Sequence, residues 1–185
     1  MDSEQIASFL RSTGCTHPQV LASDELETSR QLDAGQICVT NTDTSRGKGV
    51  HWILFYITTD DRKKRYKTVN YFDPLGECSL EHGKFKKFVS NYDVLVSNEG
   101  FPVQHDSSNV FSNTCAMHVL FHAHLICDFP HKYKGLDDVM RIYDLSNTES
   151  SVNYNECMVL RYLTSKFVKH AKMFKKLRGC VTLAG

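Results

Sequence analysis

The sequence predicts an α+β domain, a small mixed or antiparallel central sheet flanked by helices. Three observations carry this. A nearly continuous run of β-formers, VHWILFYITT at 50–59, reads as a strand covered on both faces. A charged turn, DDRKKR, separates it from YKTVNYFD at 66–73, so the two read as an antiparallel hairpin. Helical segments then lie before and after these strands and do not alternate with them one by one, as a parallel α/β fold requires.

Each element has a local reason. DSEQIASFLRSTG at the N-terminus reads as a short helix, with Asp2 as N-cap, Gln5 in the capping-box position and Gly14 as stop. QICVTN at 36–41 is a strand, and NTDTSRGKG at 41–49 is loop chemistry. The hairpin's second strand must stop at Asp73-Pro74, because proline has no N–H for the ladder. LEHGKFKKFVSNY at 80–92 reads as a helix despite Gly83, and DVLVSN at 93–98 as a short strand. A polar loop over 99–113 leads into an apolar helix, SNTCAMHVLFHAHLICDF at 112–129. LDDVMRIYDLS at 136–146 reads as a helix, and 154–177 as one long amphipathic helix with apolar residues near i, i+3, i+4 and i+7.

At 185 residues the chain is expected to be a single domain, 1–185, with 41% hydrophobic and 23% charged residues, an ordinary globular composition. Its apolar runs are too short to cross a bilayer, and the acidic start MDSEQIASFL lacks a secretory apolar region. Seven cysteines stand at 15, 38, 78, 115, 127, 157 and 180, widely spaced and without C-x-x-C. That pattern argues for a reducing compartment and against a disulfide framework or zinc knuckle. Net charge is only +1, so the molecule as a whole is no polyelectrolyte binder. Basic residues do crowd the C-terminal segment: Lys166, Lys169, Lys172, Lys175, Lys176 and Arg178, with His170 among them. DRKKRYK at 61–67 and KFKKF at 84–88 are further clusters. Each is either a solvated face or part of a polyanion-binding stripe.

The residues that could do chemistry converge on Cys115. With Ser112 or Asn113 as cap, Cys115 falls in the first turn of its helix, where free N–H groups and the helix dipole stabilise a thiolate. A buried structural thiol is the alternative reading. His51, at the mouth of the central strand, is either a general base or a core histidine; Trp52 beside it is packing or a cleft wall. Asp73 ends the next strand, so the hairpin brings it to the same end as His51, where it could orient the imidazole. Asp73 equally suits a turn before Pro74 and Gly76. Cys115, His118 and His122 share one helix face at i, i+3 and i+7, a zinc-like spacing that would need a fourth ligand from elsewhere.

Three stretches in order, ICVTNTDTSRGKGVHWILFYI, YFDPLG and NTCAMHVLFHAHLICDFP, resemble the adenovirus protease (adenain) family of the ubiquitin-like-protein protease clan. The order His, Asp, Cys is that of the clan, whereas papain places its cysteine first. The resemblance covers about residues 3–130 and implies a papain-like fold and a cysteine endopeptidase of an adenovirus or a related DNA virus such as an adomavirus. It makes Cys115 the nucleophile, His51 the general base and acid, and Asp73 the orienter. Its oxyanion hole would use the Cys115 N–H and an upstream amide, Gln104 or alternatively Asn109. The family's chemistry requires no metal or other cofactor. It implies viral precursor proteins as substrates, cut after small, glycine-type residues during virion maturation in the virion and host nucleus. It also implies stimulation by a short viral peptide and by DNA, with Lys169, Lys172, Lys175, Lys176 and Arg178 as the DNA contact. It implies no membrane partner.

The chain departs from the family in three places. Gln104 lies eleven residues before Cys115, farther than the family pattern. Ala116 stands where the family has glycine. Tyr92, Asp93 and Val94 stand where the family's peptide-linking cysteine would fall, which argues against a disulfide-linked activator. Two other classes stay open: a deubiquitinase, ubiquitin-like-protein protease or acyltransferase on the same triad, and a catalytically silent DNA-binding virion protein.

Overall fold

The computed structural model describes residues 1–26, 28–59, 66–77, 83–104 and 114–178, with the backbone alone at 83–84 and 175–178. The order of elements is α1 (Ser3–Arg11), β1 (Gln19–Ala22), α2 (Ser23–Leu26), β2 (Ile37–Asn41), β3 (Trp52–Thr59), β4 (Lys67–Phe72), α3 (Gly83–Val89), β5 (Val94–Ser97), α4 (Cys115–Asp128), α5 (Leu136–Met140), α6 (Glu149–Lys166), a 3₁₀ turn (Val168–His170) and α7 (Ala171–Arg178). This is the expected α+β architecture: a five-stranded mixed sheet with helices on its two faces. The strand order is β1-β2-β3-β4-β5. The β2–β3 and β3–β4 pairs are antiparallel, and the outer pairs, β1–β2 and β4–β5, are parallel.

The central strand is covered on both faces, as its continuous apolar run demands. Strand side chains alternate between faces. Trp52, Leu54 and Tyr56 therefore join the core beneath α1, α4 and α6. Ile53, Phe55 and Ile57 face a second cluster with Leu26, Leu32, Phe85 and Phe88. Helix α4 is buried from Cys115 through Leu125, a helix apolar on all sides and packed on all sides. At α1 the Asp2 carboxylate accepts from Gln5 N–H at 2.8 Å while the Gln5 side chain accepts from Asp2 N–H at 3.2 Å, the expected capping box.

The structure corrects several expectations. Strand β1 was not legible: four half-buried residues after Pro18 pair in parallel with β2, and a parallel pairing leaves no hairpin signature. Helix α5 ends at Met140, short of 146. The long C-terminal helix starts earlier, at Glu149, because Thr148 and Ser151 form a capping box. It also breaks at Phe167, whose ring packs against Phe9 at 4.6 Å and His124 at 4.8 Å. The break lets α7 fold back so that Phe174 reaches Phe9 at 5.5 Å. The N-cap position of α4 is Thr114, without a side-chain cap bond; Ser112 and Asn113 lie outside the described residues. The cysteines do not all stay reduced: Cys15 and Cys127 form a disulfide, with Cα atoms 4.8 Å apart. It ties the exit of α1 to the last turn of α4. The same junction is held by Asp128, which accepts from Gly14 N–H and contacts His124 Nδ1 at 2.7 Å. A separation of 112 residues hid this pairing from the sequence.

Candidate active site

His51 immediately precedes β3, and Asp73 immediately follows β4. The antiparallel register pairs Leu54 with Phe72, so both residues emerge at one end of the hairpin, as counting from the turn predicts. His51 Nε2 lies 2.6 Å from Asp73 Oδ1. Asp73 is fully buried, yet its carboxylate is well supplied with donors. Oδ1 also accepts from Leu75 N–H at 2.8 Å, and Oδ2 accepts from the Tyr71 hydroxyl at 3.1 Å. A buried carboxylate held this way is fixed in place and stays a strong acceptor.

Cys115 is the first residue of α4 and is 5% exposed. Its side chain is hydrogen-bonded to His51. Because Nε2 is engaged by Asp73, the ring offers Nδ1 to the thiol. Burial pulls the His51 pKa down, but the hydrogen bonds with Asp73 and Cys115 and the charges of both outweigh it, and the value rises to about 10. The imidazolium is therefore favoured at neutral pH, and its positive charge lies beside the sulfur, with the helix N-terminus behind it. Cys38 is the contrast: buried in the second core and bonded to Thr40, its thiol is pushed up to about 12 and is inert.

Cys115 and Ala116 form part of a cleft of about 370 Å³, whose other walls include Asn41, Gly47, Gly49, Val50 and Trp52. Trp52 thus both packs in the core and walls the cleft. The β2–β3 loop that forms the rim is locked by side chains. Asn41 Oδ1 accepts from Asp43 N–H and Val50 N–H, and Asp43 Oδ2 accepts from Gly49 N–H. Gly49 has φ +80°, and a Cβ there would meet the Asn41 amide at 3.0 Å, so glycine is required.

Gln104 is 4% exposed and is the last described residue before 105–113. Asn109 lies outside the described residues. The zinc-like trio does not converge: Cys115 faces His51, His118 Nδ1 lies 3.4 Å from the Tyr143 hydroxyl, and the His122 ring packs tilted against Phe72 at 4.4 Å. Among the described residues no three His, Cys, Asp or Glu side chains come together as metal ligands do. Lys166, Lys169 and Lys172 are exposed along the C-terminal segment; for Lys175, Lys176 and Arg178 only the backbone, on α7, is described. Thr114 donates its hydroxyl to Glu156 Oε1 at 2.9 Å, anchoring the start of α4 to α6. The sequence reading missed Tyr71 and Thr114. Tyr71 had a signal: it stands two residues before Asp73, where strand alternation puts side chains on one face.

No protein-family model and no curated protein matches the chain. Among solved structures, the chain is similar to the selenomethionine form of the ASFV pS273R protease, at 16% identity and a TM-score of 0.39, over 65% of this chain and 42% of that one. It is also similar to a de-sumoylating protease, at 16% identity and a TM-score of 0.38, over 95% of this chain and 74% of that one. The chain spans less than half the length of the first of these proteins.

Proposed function

We propose that this chain is a cysteine endopeptidase acting through Cys115, His51 and Asp73. The observation that carries the reading is the buried relay itself: Asp73 bound to His51 Nε2 at 2.6 Å, and His51 bonded in turn to a cysteine at a helix N-terminus. In the proposed reaction the Cys115 thiolate attacks a peptide carbonyl, and the C=O π electrons move onto oxygen. The Cys115 N–H and a side-chain amide, that of Gln104 or Asn109, hold the oxyanion. His51 gives its proton to the leaving amine as the C–N bond breaks, leaving a thioester. Water, deprotonated by His51, then releases the carboxylate and restores the thiolate.

The substrate proposal follows the adenain resemblance: viral precursor proteins cut after glycine-type residues during maturation, in the virion and the host nucleus. A cleft rimmed by Gly47 and Gly49 and walled by Trp52 suits an extended chain with small side chains at the scissile bond. Exposed Val50, in the same wall, suits an apolar residue upstream. Ubiquitin-like tails ending in Gly-Gly share this chemistry. DNA is proposed as a stimulating partner through Lys169, Lys172, Lys175, Lys176 and Arg178, and a peptide activator as a non-covalent one.

The test compares wild type with Cys115→Ala on a peptide carrying an apolar-x-Gly-Gly site, with and without DNA. Wild type is expected to cleave and the variant to be inactive. Equal cleavage by both proteins refutes the mechanism, and identical rates with and without DNA refute the DNA role.

A further inference from the structure

Asn98 follows the edge strand β5 and is 2% exposed. At that level β4 has ended, because Pro74 cannot continue the ladder. The Asn98 side chain takes over the rung. Its Oδ1 accepts from Asp73 N–H at 2.8 Å, and its Nδ2 donates to Asp73 C=O at 2.7 Å and to Phe101 C=O at 3.1 Å. One donor and two acceptors surround this amide, so only this orientation satisfies all three. Both main-chain groups of Asp73 are thus held by one buried side chain.

A second set of contacts joins the same turn to the segment that ends at Gln104. Pro74 C=O accepts from both Val103 N–H at 2.9 Å and Gln104 N–H at 3.0 Å. Gly76 C=O accepts from Gly100 N–H at 2.9 Å, and Asn98 C=O accepts from Phe101 N–H at 2.9 Å. Gly76 has φ +68°, and a Cβ on it would lie 2.7 Å from Pro102 N and 2.9 Å from Phe101 C. The stretches 73–76 and 98–104 therefore interlock as one rigid piece, with Asn98 as the side chain that spans it.

We infer that Asn98 is a positioning residue for the proposed hydrolysis, holding the Asp73 carboxylate on His51 and fixing the backbone of Gln104 relative to it. The inference rests on the reading of Cys115, His51 and Asp73 as the reacting site. Asn98 touches no reacting atom; it acts by keeping the carboxylate within hydrogen-bond range of Nε2. A small displacement of a buried carboxylate weakens its hold on the ring and costs rate more than binding. Among the described residues Asp73 and Cys115 are the ionisable groups that act on His51, so loosening Asp73 removes the larger support for the imidazolium.

The experiment measures kcat, KM and the pH dependence of kcat/KM for wild type, Asn98→Ala and Asn70→Ala. Asn70 is an equally buried asparagine, but it bonds the Thr58 hydroxyl on β3 and Leu136 N–H at the start of α5. Asn98→Ala is expected to lose about 10- to 100-fold in kcat with KM within about twofold, and its alkaline limb is expected to move at least about one pH unit lower. Asn70→Ala is expected to lose thermal stability and leave the limb in place. A kcat within twofold of wild type and an unmoved limb in Asn98→Ala overturn the inference, as does the same limb shift in both variants. Should the alanine variant fail to fold, Asn98→Ser is read in the same way, and an unmoved limb there overturns the inference equally. Cys115→Ala separates the two levels. If it cleaves like wild type, the reading of the site fails and the inference with it; if it is inactive while Asn98→Ala is unaltered, only the inference fails.

Discussion

Lowering the pH from 7 to 5 will destabilise this fold through two histidines that its interior keeps neutral. His118 and His122 are both fully buried on α4, and burial alone pulls each from 6.5 to about 3. The unfolded imidazoles take up protons below 6.5 while the folded ones do not, so stability falls with pH. Between pH 7 and 5 each contributes a loss of about 2 kcal/mol, about 4 kcal/mol together, at about 1.4 kcal/mol per pH unit of differential protonation. His51 works in the opposite sense. Its folded value of about 10 stabilises fully below 6.5 and is lost as pH rises through 10, so over this interval it returns less than about 1 kcal/mol. The net loss of about 3 kcal/mol is a large part of a typical 5–15 kcal/mol. His122 is the group to remove, because neither ring nitrogen meets a hydrogen-bond partner among the described residues. His122→Met is expected to lie within about 1 kcal/mol of wild type at pH 7, or above it, since no hydrogen bond is lost. At pH 5 it should retain about 2 kcal/mol more than wild type. Urea unfolding at the two pH values, followed by the fluorescence of the single tryptophan, buried Trp52, measures both. The same pH-dependent loss in His122→Met and wild type would refute the reasoning; so would a loss above about 2 kcal/mol at pH 7, the cost of breaking a real buried bond.

Two further outcomes follow from the site and the core. Asp73→Asn should lower kcat/KM about 10- to 100-fold. It should also shift the alkaline limb of the pH–rate profile toward neutral, because the charge and hydrogen bond that raise His51 are weakened while burial still pulls it down; a profile unchanged in shape and height argues against Asp73 as the orienter. Replacing Cys15 and Cys127 together by serine should cost about 2–5 kcal/mol by urea unfolding, since the bond closes a loop of 112 residues. Activity at 25 °C should persist in that variant, and stability equal to wild type under oxidising conditions would show that the bond does not constrain the chain.

The parts legible in the sequence were those with a local cause. VHWILFYITT could only be a strand covered on both faces, and Pro74 had to end its partner, so the meeting of His51 and Asp73 could be counted from the hairpin turn. The capping box at Asp2 and Gln5 is written in a span of four residues. The cysteine at a helix start needed only the apolar run that follows it. Tyr71 was within reach of the same alternation and was passed over.

The remaining features depend on partners distant in sequence. Strand β1 answers to β2, 19 positions on, and the Cys15–Cys127 bond and the break of the C-terminal helix at Phe167 answer to residues more than a hundred positions away, so a local window holds no trace of them. Asn98 reads locally as a turn residue after a strand; only the parallel docking of β5 on β4 turns its amide toward Asp73. The sequence by itself determined the strands of the central hairpin, the helix that carries Cys115 and the end of the sheet where His51 and Asp73 meet, because periodicity, proline and caps act over a few residues. Tertiary structure alone raised the His51 pKa and lowered those of His118 and His122, because a proton's free energy is set by burial and by the charges a fold packs beside it.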